Sequence, residues 1–428
     1  MYIHERENWT AFRWNASELS AALEEVTRKQ GLLYGRLLSL GFDSRIMAMA
    51  ENLTNDVVYS SEIEGIQLNI DEVRSSIARK LGIENASHIA SSHYVDSVVA
   101  VMIDAVRHYD QPLDKNKLCA WQAAFFPTGF SEGCQIEVGK YRTHEEHIVS
   151  GMFGRERVHY IAPSPERVEE EMANFITWFN GRENINSVVC SAIAHLWFVS
   201  IHPFEDGNGR LARILSDMIL ARADKSEYRF YNITTQINKD KKHYYDILEQ
   251  TQRGDGDITA WIAWYAKALS AALDDAQTAV SSILNKCIFW QNASVMALSQ
   301  RQTDMLNLFL DGYEAKITTK TWATLAKCSR DTAIRDIHDL VRKGVLCEDM
   351  PGAKRPSFSI VFTPNLVTAL FSDVKVVEDA GRHYLVAVYD GNTQVRERIL
   401  ALDAERFKKG DLPIGHLLSK YCSYLVAR

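Results

Sequence analysis

Nine consecutive residues, His202 to Arg210, combine one titratable base, two carboxylates, two glycines and an arginine. Glycine lets a backbone approach a ligand closely, and the N–H groups at the start of a helix attract anions. Asp206 is a hard oxygen ligand suited to Mg²⁺, Arg210 can bind phosphate oxygens in a fork, and His202 can accept a proton near neutral pH. This combination predicts a phosphoryl- or nucleotidyl-transfer site. A capped helical turn around a partly buried histidine is the purely structural alternative.

Two predicted helices would hold this segment in place. Upstream, residues 188 to 201 are almost continuously apolar, and downstream, residues 211 to 220 carry apolar side chains at helical spacing. The nine residues are therefore predicted to form a tight turn between two helices, with Gly207, Asn208 and Gly209 opening the second helix.

The same nine residues resemble the signature of the Fic family, His-Pro-Phe-x-(Asp/Glu)-Gly-Asn-(Gly/Lys)-Arg, and match it at every position. The resemblance implies protein adenylylation, with ATP as the substrate and Mg²⁺ as the cofactor. His202 would take the proton from a Ser, Thr or Tyr hydroxyl, and Asp206 would hold the metal ion. The predicted phosphate-binding residues are Gly207, Asn208, Gly209, Arg210 and a second arginine, Arg213. Glycine at position 209 favours AMP transfer over the kinase-like branch, which has lysine there.

A second motif stands near the end of a predicted helix over residues 46 to 65. Ser60 and Glu64 are four residues apart and share a helix face, and Gly65 suits a helix C-terminus. Alone, Glu64 would be an ordinary surface glutamate. Ser60-x-x-x-Glu64-Gly65, however, resembles the inhibitory motif of many Fic proteins. The resemblance implies that Glu64 pairs with Arg213 and blocks productive placement of the ATP γ-phosphate, so that the resting chain is autoinhibited.

A β-hairpin is predicted over residues 147–151 and 157–161, with its turn between them. In a mainly helical chain it resembles the Fic flap, which binds a segment of the target protein by adding a strand. Ile148, Val149 and Ser150 are the predicted docking residues. The adjacent run from His144 to His147 lacks the His-Glu-x-x-His spacing, so it does not predict a zinc site.

A further helix is predicted to run from Tyr244 to Gln252. The resemblance implies that it walls a nucleoside pocket, in which Tyr245 packs on the adenine and Gln252 can meet the base. Core packing of the adjacent tyrosines is the alternative.

Composition sets broad limits on the chain. With 428 residues, 46% hydrophobic and 24% charged, it is long enough for two to four globular domains. A net charge of -7 excludes a chain built as a whole to coat nucleic acid. Seven scattered cysteines fit reduced thiols. An apolar signal core and a long apolar run are both absent from the sequence, which predicts a cytoplasmic protein without a membrane partner.

The predicted fold class is mainly α: a Fic-type helical core with a β-hairpin flap, then a winged helix-turn-helix and a small α+β module. The predicted domains are an N-terminal helical region (1–100, motif at 60–65), a catalytic core (101–270, flap at about 143–161), a helical linker (271–300), a winged helix (301–364) and an appendage of unknown role (365–428). Strand-like runs at 374–377 and 383–389 are predicted in the appendage, with a turn at 390–391 and a helix after residue 413.

The winged-helix prediction follows from the order helix, helix-turn-helix, hairpin. Four of its basic residues can meet phosphates, namely Arg330, Arg335, Lys354 and Arg355, whereas three aspartates dilute that face. DNA and protein both stay open as partners of this domain.

Two alternatives to AMP transfer stay open. One is removal of AMP, with Glu64 orienting a water molecule; release of AMP from a modified target would reveal it. The other is a DNA-binding transcriptional regulator with the Fic core as a sensor, which a gel shift across salt concentrations would reveal. Further expectations are a target that includes the chain itself and a homodimer that buries the inhibitory helix.

Overall fold

The structure is a computed structural model. It describes residues 1–38, 40, 42–83, 89–131, 133–151, 157–181, 185–293, 297–310, 313, 315–350, 356–361, 371–389, 393–409, 417–418 and 420–422. These residues are mainly α-helical with a few small sheets, as predicted. The chain divides into two compact units, Met1–Val280 and Ser281–Arg428, each described by itself below. The finer division into five segments stays a prediction.

The first unit is a helical assembly with two short hairpins. Its helices are α1 (Ala16–Leu38), α2 (Phe42–Ile63), α3 (Ile70–Leu81), α4 (His93–Arg107), α5 (Lys115–Phe125), α6 (Pro165–Gly181), α7 (Ser187–Ile201), α8 (Asn208–Asp224), α9 (Thr234–Lys239), α10 (Lys241–Gln252) and α11 (Thr259–Ala293). Its strands are β1 (Phe130–Ser131), β2 (Cys134–Gln135), β3 (His147–Ser150) and β4 (Arg157–Ile161). In the part of the chain that the structure describes, no helix combines the length and hydropathy needed to cross a membrane.

The centre of this unit is the pair α7 and α8. Every residue of α7 from Val188 to Ile201 is buried, as expected for a helix that is apolar on all sides. Most of α8 is buried too, and the two helices pack against each other. The predicted tight turn between two helices is confirmed.

Helix α2 ends as its sequence predicts. Gly65 takes a left-handed φ of +80° and donates its N–H to the carbonyl of Glu62, while the N–H of Ile66 reaches Ser61. This chain reversal needs a residue that tolerates positive φ, which explains the glycine.

Strands β3 and β4 form the predicted antiparallel hairpin, with His147 opposite Ile161 and Ser150 opposite Arg157. Its turn, residues 152–156, lies outside the described residues. The short hairpin β1–β2 was not predicted. Two-residue strands are too short to show an alternating pattern in sequence, which explains the omission.

The second unit contains α12 (Gln300–Leu310), α13 (Thr319–Leu325), α14 (Arg330–Arg342), β5 (Leu346–Glu348), β6 (Phe358–Ile360), β7 (Phe371–Asp379), β8 (Arg382–Tyr389), β9 (Thr393–Ile399) and α15 (Ala401–Lys408). Helices α12 to α14 and the hairpin β5–β6 follow the predicted order around a core that includes Leu306, Trp322 and Ile337. The winged-helix assignment stays a prediction, and Lys354 and Arg355 lie outside the described residues.

The last segment forms an antiparallel sheet in the order β7–β8–β9, followed by α15. Strands β7 and β8 were predicted, whereas β9 and α15 were not. The predicted turn at 390–391 and the residues directly after 413 lie outside the described residues.

Candidate active site

His202 ends α7 and faces the turn that leads to α8. Its backbone is left-handed, with φ of +52°, and its N–H donates to the carbonyl of Phe198. Nδ1 lies 3.2 Å from the carbonyl oxygen of Val199. An imidazole that donates from Nδ1 leaves Nε2 as an acceptor. Burial lowers the pKa of His202 to about 4, against the hydrogen bond to Val199. The ring is therefore neutral at physiological pH and can take up a proton.

The turn after His202 is closed by Asn208. Its side-chain oxygen accepts from the N–H of Phe204 at 3.0 Å, and its amide donates to the Phe204 carbonyl at 2.7 Å. Both residues are buried, with Phe204 at 0% exposure. The side chain of Asn208 thus holds the loop in shape, which leaves its backbone N–H as the group that can face an anion.

Gly207 takes φ of +91° at the start of α8, where a Cβ would meet the ring of Phe126 at 3.2 Å. Glycine fits this position because both the conformation and the close neighbour exclude a side chain. The loop thus enters α8 with its first N–H groups open to a ligand.

Asp206, the predicted Mg²⁺ ligand, accepts a hydrogen bond from the hydroxyl of Ser131, and its carboxylate lies 3.7 Å from Arg210. Its side chain is 37% exposed. In the described ranges, no cluster of three or more His, Cys, Asp or Glu residues suits a metal ion. Mg²⁺ is commonly held by one or two carboxylates together with substrate phosphates and water, so a single accessible aspartate fits that ion.

Arg210 is more enclosed than its predicted role suggests. It is 1% exposed, and its guanidinium lies between the rings of Phe125 and Phe126, at 4.7 and 4.8 Å from their centroids. One nitrogen donates to the hydroxyl of Tyr94 at 3.0 Å, while Nε has no hydrogen-bond partner within the described structure. Phosphate binding by Arg210 stays a prediction.

Arg213 and the motif on α2 meet as predicted. Arg213 donates to the Ser60 hydroxyl at 3.1 Å, to the Ser60 carbonyl at 3.0 Å and to a carboxylate oxygen of Glu64 at 2.7 Å. Burial would lower the pKa of this guanidinium, but its neighbours together, chiefly the Glu64 carboxylate, raise it above its ordinary value. The pair joins the end of α2 to the first turns of α8.

Gly209 makes the approach of Glu64 possible. A Cβ at position 209 would lie 2.6 Å from Glu64 Oε1 and 3.4 Å from Arg213 Nη1. The carboxylate therefore lies directly over the first turn of α8, where backbone N–H groups and the helix dipole favour an anion. In this structure Glu64 lies at the position predicted to bind an anion, and inhibition by Glu64 stays a prediction.

The two adjacent tyrosines of α10, Tyr244 and Tyr245, differ in exposure. Tyr244 is buried and its hydroxyl lies 2.9 Å from Nε2 of His195, which makes it a core residue. Tyr245 is 42% exposed and is free to pack on a base. Gln252 is 4% exposed and donates to the Ser200 hydroxyl at 3.2 Å. Its side chain is therefore enclosed in this structure, and its contact with adenine stays a prediction.

The flap presents its predicted docking residues on β3. Val149 is 47% exposed and Ser150 is exposed, whereas Ile148 is half-buried. Among the described strands, β3 pairs with β4 alone, so its outer edge can accept another strand.

Contacts with α10 hold the flap in place, and they were not predicted. Glu249 accepts from His159 at 2.5 Å and from Arg157 at 3.0 Å. Arg253 donates to the carbonyls of Val158 and His159. Because these residues are about 90 positions apart in the chain, spacing within a helix or strand cannot reveal the pairing. Arg142 and Ser131, which contact the turn from His202 to Arg210, were also missed.

Comparison with known proteins connects this site to one family. Residues 112–220 match the model of the Fic/DOC family, and residues 2–83 match a domain of unknown function, DUF4172. A protein adenylyltransferase Fic from Nematostella vectensis is 24% identical over 263 residues, which are 59% of this chain and 55% of that protein. Its counterpart from Aedes aegypti is 32% identical over 137 residues, 31% of this chain and 26% of that protein. The chain thus spans about half of the first relative and a quarter of the second.

Two solved structures of Fic proteins are also similar to this chain. A Fic family protein from Desulfovibrio desulfuricans has a TM-score of 0.48 and 18% identity, covering 79% of this chain and 96% of that one. Fic-1 from C. elegans has a TM-score of 0.44 and 20% identity, covering 61% of this chain and 74% of that one. Likeness at this level says nothing about activity.

Proposed function

We propose that this chain, which carries a Fic/DOC family domain over residues 112–220, is a protein adenylyltransferase that moves AMP from ATP to a hydroxyl side chain of a protein. One observation carries the proposal. Glu64 lies over Gly209 and pairs with Arg213 at 2.7 Å, at the helix start that follows the turn of His202. A carboxylate held at a helix N-terminus by a buried arginine marks a site that suits anionic groups such as phosphates.

The proposed reaction begins with His202. Its Nε2 accepts the proton of a Ser, Thr or Tyr hydroxyl, and the hydroxyl oxygen attacks the α-phosphorus of ATP. The bond from the α-phosphorus to the bridging oxygen breaks, and pyrophosphate leaves. A neutral imidazole is required at the start, and the lowered pKa of His202 supplies one at physiological pH.

The start of α8 would bind the phosphates. Glu64 now lies beside Gly209 in the first turn of α8, and Arg213 would exchange the carboxylate for a phosphate oxygen. Asp206 would hold Mg²⁺, which neutralises negative charge on the phosphates when bound. Tyr245 is the exposed aromatic side chain available to the adenine.

Autoinhibition follows from the same geometry. Glu64 and a phosphate compete for Arg213 and for the space over Gly209, so the resting chain would bind ATP in an unproductive way. Removing the carboxylate would free Arg213 and the space over Gly209 for a phosphate. A trigger that moves α2 away from α8 would have the same effect in the cell.

Mass spectrometry of the full-length Glu64→Gly protein after incubation with ATP tests the reaction, and the Glu64→Gly/His202→Ala double variant is its matched control. We expect an added AMP on a Ser, Thr or Tyr hydroxyl of the chain or of an added protein mixture, and none with the control. Equal modification in both proteins would overturn the mechanism. Release of AMP from a modified target, without transfer to a new one, would instead support the removal of AMP.

A further inference from the structure

The side chain of Arg142 binds four backbone carbonyls at once. It donates to His202 and His144 at 2.8 Å each, to Pro163 at 2.5 Å and to Ile201 at 3.3 Å. It is 2% exposed. No described carboxylate lies within ion-pair distance of it, so its side-chain hydrogen bonds go to carbonyl oxygens, while Glu146 and Glu166 favour its charge only from a distance.

Two of these carbonyls, those of Ile201 and His202, lie where α7 meets the turn that carries the proposed base. Ile201 ends α7 and His202 follows it in the left-handed conformation, where carbonyls at a helix C-terminus lack helical partners and carry partial negative charge. The backbone N–H of Arg142 also donates to the carbonyl of Pro203 at 2.9 Å. Arg142 therefore fixes the backbone of three consecutive residues around the proposed base.

The other two carbonyls belong to the flap. His144 lies just before β3 and Pro163 just after β4, so the guanidinium holds both ends of the hairpin. The N–H of Ala162 donates to the carbonyl of Glu146 and closes the hairpin between them. One planar group thus connects the element that would dock the target to the element that would carry the base.

We infer that Arg142 is a positioning residue that sets the distance between a docked hydroxyl and Nε2 of His202. The inference rests on the proposed function. A guanidinium suits this task because its donors have a fixed planar geometry, which an ammonium group lacks. Loosening it would let the flap and the turn move independently, and misplacement of about 1 Å can cost about 100-fold in rate.

The test uses the full-length Glu64→Gly protein as the parent, with α-labelled ATP and the chain itself as the acceptor. Arg142→Met removes the clamp, and Arg142→Lys keeps the charge without the fork. Arg222→Met is the matched control, because Arg222 also donates to two carbonyls, of Tyr109 and Gln111, at the far end of α8. We expect kcat to fall by about 10- to 100-fold in Arg142→Met and less in Arg142→Lys, with KM for ATP unchanged. Arg222→Met should keep the parent's kcat.

A second readout does not depend on activity. Titration of His202 by NMR in ¹⁵N-histidine-labelled protein reports its protonation and tautomer. Arg142 is one of the groups that lower the pKa of His202, after burial, so Arg142→Met should raise it and Arg222→Met should not. Arg142→Lys keeps the charge, so a change in the tautomer of His202 in that variant reports a lost position of the ring and not a lost charge. A role confined to folding stability would leave the tautomer as in the parent.

The outcomes separate the two proposals. A Glu64→Gly parent without AMP transfer overturns the proposed function, and the titration of His202 still decides the role of Arg142. Parent-like kcat and titration in Arg142→Met overturn the inference. Loss of cooperative folding in both Arg142→Met and Arg142→Lys also overturns it, since Arg142 would then serve stability alone.

Discussion

The carboxylate of Glu64 lies 2.7 Å from the guanidinium of Arg213, and this pair joins α2 to α8 at the start of the latter. Arg213 is 1% exposed and Glu64 is partly buried, so water screens the pair weakly. The two residues are 149 positions apart in the chain: Glu64 lies in the turn that follows α2, and Arg213 lies within α8. The proposed inhibition could therefore be released by moving one helix, without rearranging the turn from His202 to Arg210.

The charge of Glu64 can be tested separately from its size. Glu64→Gln keeps the shape of the side chain and loses the ion pair, whereas Glu64→Gly removes both. A hydrogen bond to a charged group contributes roughly 1.5–3 kcal/mol, so we expect AMP transfer to rise roughly 10- to 100-fold in Glu64→Gln. The rate of AMP transfer should be higher in Glu64→Gly than in Glu64→Gln. Equal rates for Glu64→Gln and the unmodified chain, measured with α-labelled ATP, would show that charge plays no part.

Gly209→Ala should have opposite effects on stability in two backgrounds. In the unmodified chain, the new Cβ would lie 2.6 Å from Glu64 Oε1, so the side chain of Glu64 must move and Tm should fall. In Glu64→Gly that neighbour is absent, and alanine should stabilise α8 by up to about 1 kcal/mol through its helix propensity. Thermal unfolding of the four proteins gives the coupling between the two positions. Equal shifts in both backgrounds would contradict the contact.

His202→Ala should abolish AMP transfer in the Glu64→Gly background, because no other group would take the proton. His338→Ala, at an exposed histidine of α14, is the matched control and should leave the rate unchanged. A Glu64→Gly/His202→Ala protein that keeps its rate would exclude His202 as the base.

The pH profile tests the state of His202. Its pKa is lowered from 6.5 to about 4, chiefly by burial, so the free enzyme holds the neutral base throughout the physiological range. The Glu64 carboxylate raises this pKa, and its removal should move the value lower still. For the Glu64→Gly protein, kcat/KM should therefore stay flat from neutral pH down to about 5, as far as His202 limits it. An inflection near 6.5 would show an ordinary, solvated histidine.

Two buried carboxyl groups, those of Asp56 and Asp217, lie about one helical turn from the contact between Glu64 and Arg213. Asp56 precedes Ser60 on α2, and Asp217 follows Arg213 on α8, where it accepts from Arg229 at 2.9 Å. Burial and the neighbouring Asp217 raise the pKa of Asp56 from 3.8 to about 7. Both carboxyls line one cavity between the helices. Between about pH 4 and pH 7, the folded protein therefore keeps a proton on Asp56 that the unfolded chain has already lost.

The raised pKa of Asp56 determines in which direction stability changes with pH. Because the pKa of Asp56 is raised on folding, its contribution to stability is full below about pH 4 and is lost as pH rises to about 7. Asp56→Asn should remove this dependence, which is on the order of 4 kcal/mol. Urea denaturation at several pH values between these limits measures it, with the exposed Asp71→Asn as control. An Asp56→Asn protein with the parent's pH dependence would contradict the buried proton.

The sequence predicted those parts of the site whose signal is local. The turn from His202 to Arg210, the cap at Gly65 and the hairpin β3–β4 depend on neighbouring residues, and all three are confirmed. The meeting of Glu64 with Arg213 was predicted from the family resemblance, because nothing in helical spacing links positions so far apart. Arg142 was missed since its four acceptors are backbone carbonyls, which leave no trace in side-chain pattern.

Side-chain direction was the other limit of the sequence. Asn208 and Arg210 fit a phosphate cradle by residue type, yet the side chain of Asn208 turns inward to Phe204 and that of Arg210 stacks between two phenylalanine rings. Gln252 also turns inward, toward Ser200. Such choices depend on which neighbours the packed helices supply, and these neighbours are known only once the chain has folded.

The most direct test of the central claim is the initial rate of label transfer from α-labelled ATP to protein. It should be measured for the unmodified full-length chain, for Glu64→Gly and for Glu64→Gly/His202→Ala under identical conditions. An inhibited adenylyltransferase predicts a low rate for the first, a clearly higher rate for the second and none for the third. A Glu64→Gly protein that transfers no more label than the double variant would contradict the account.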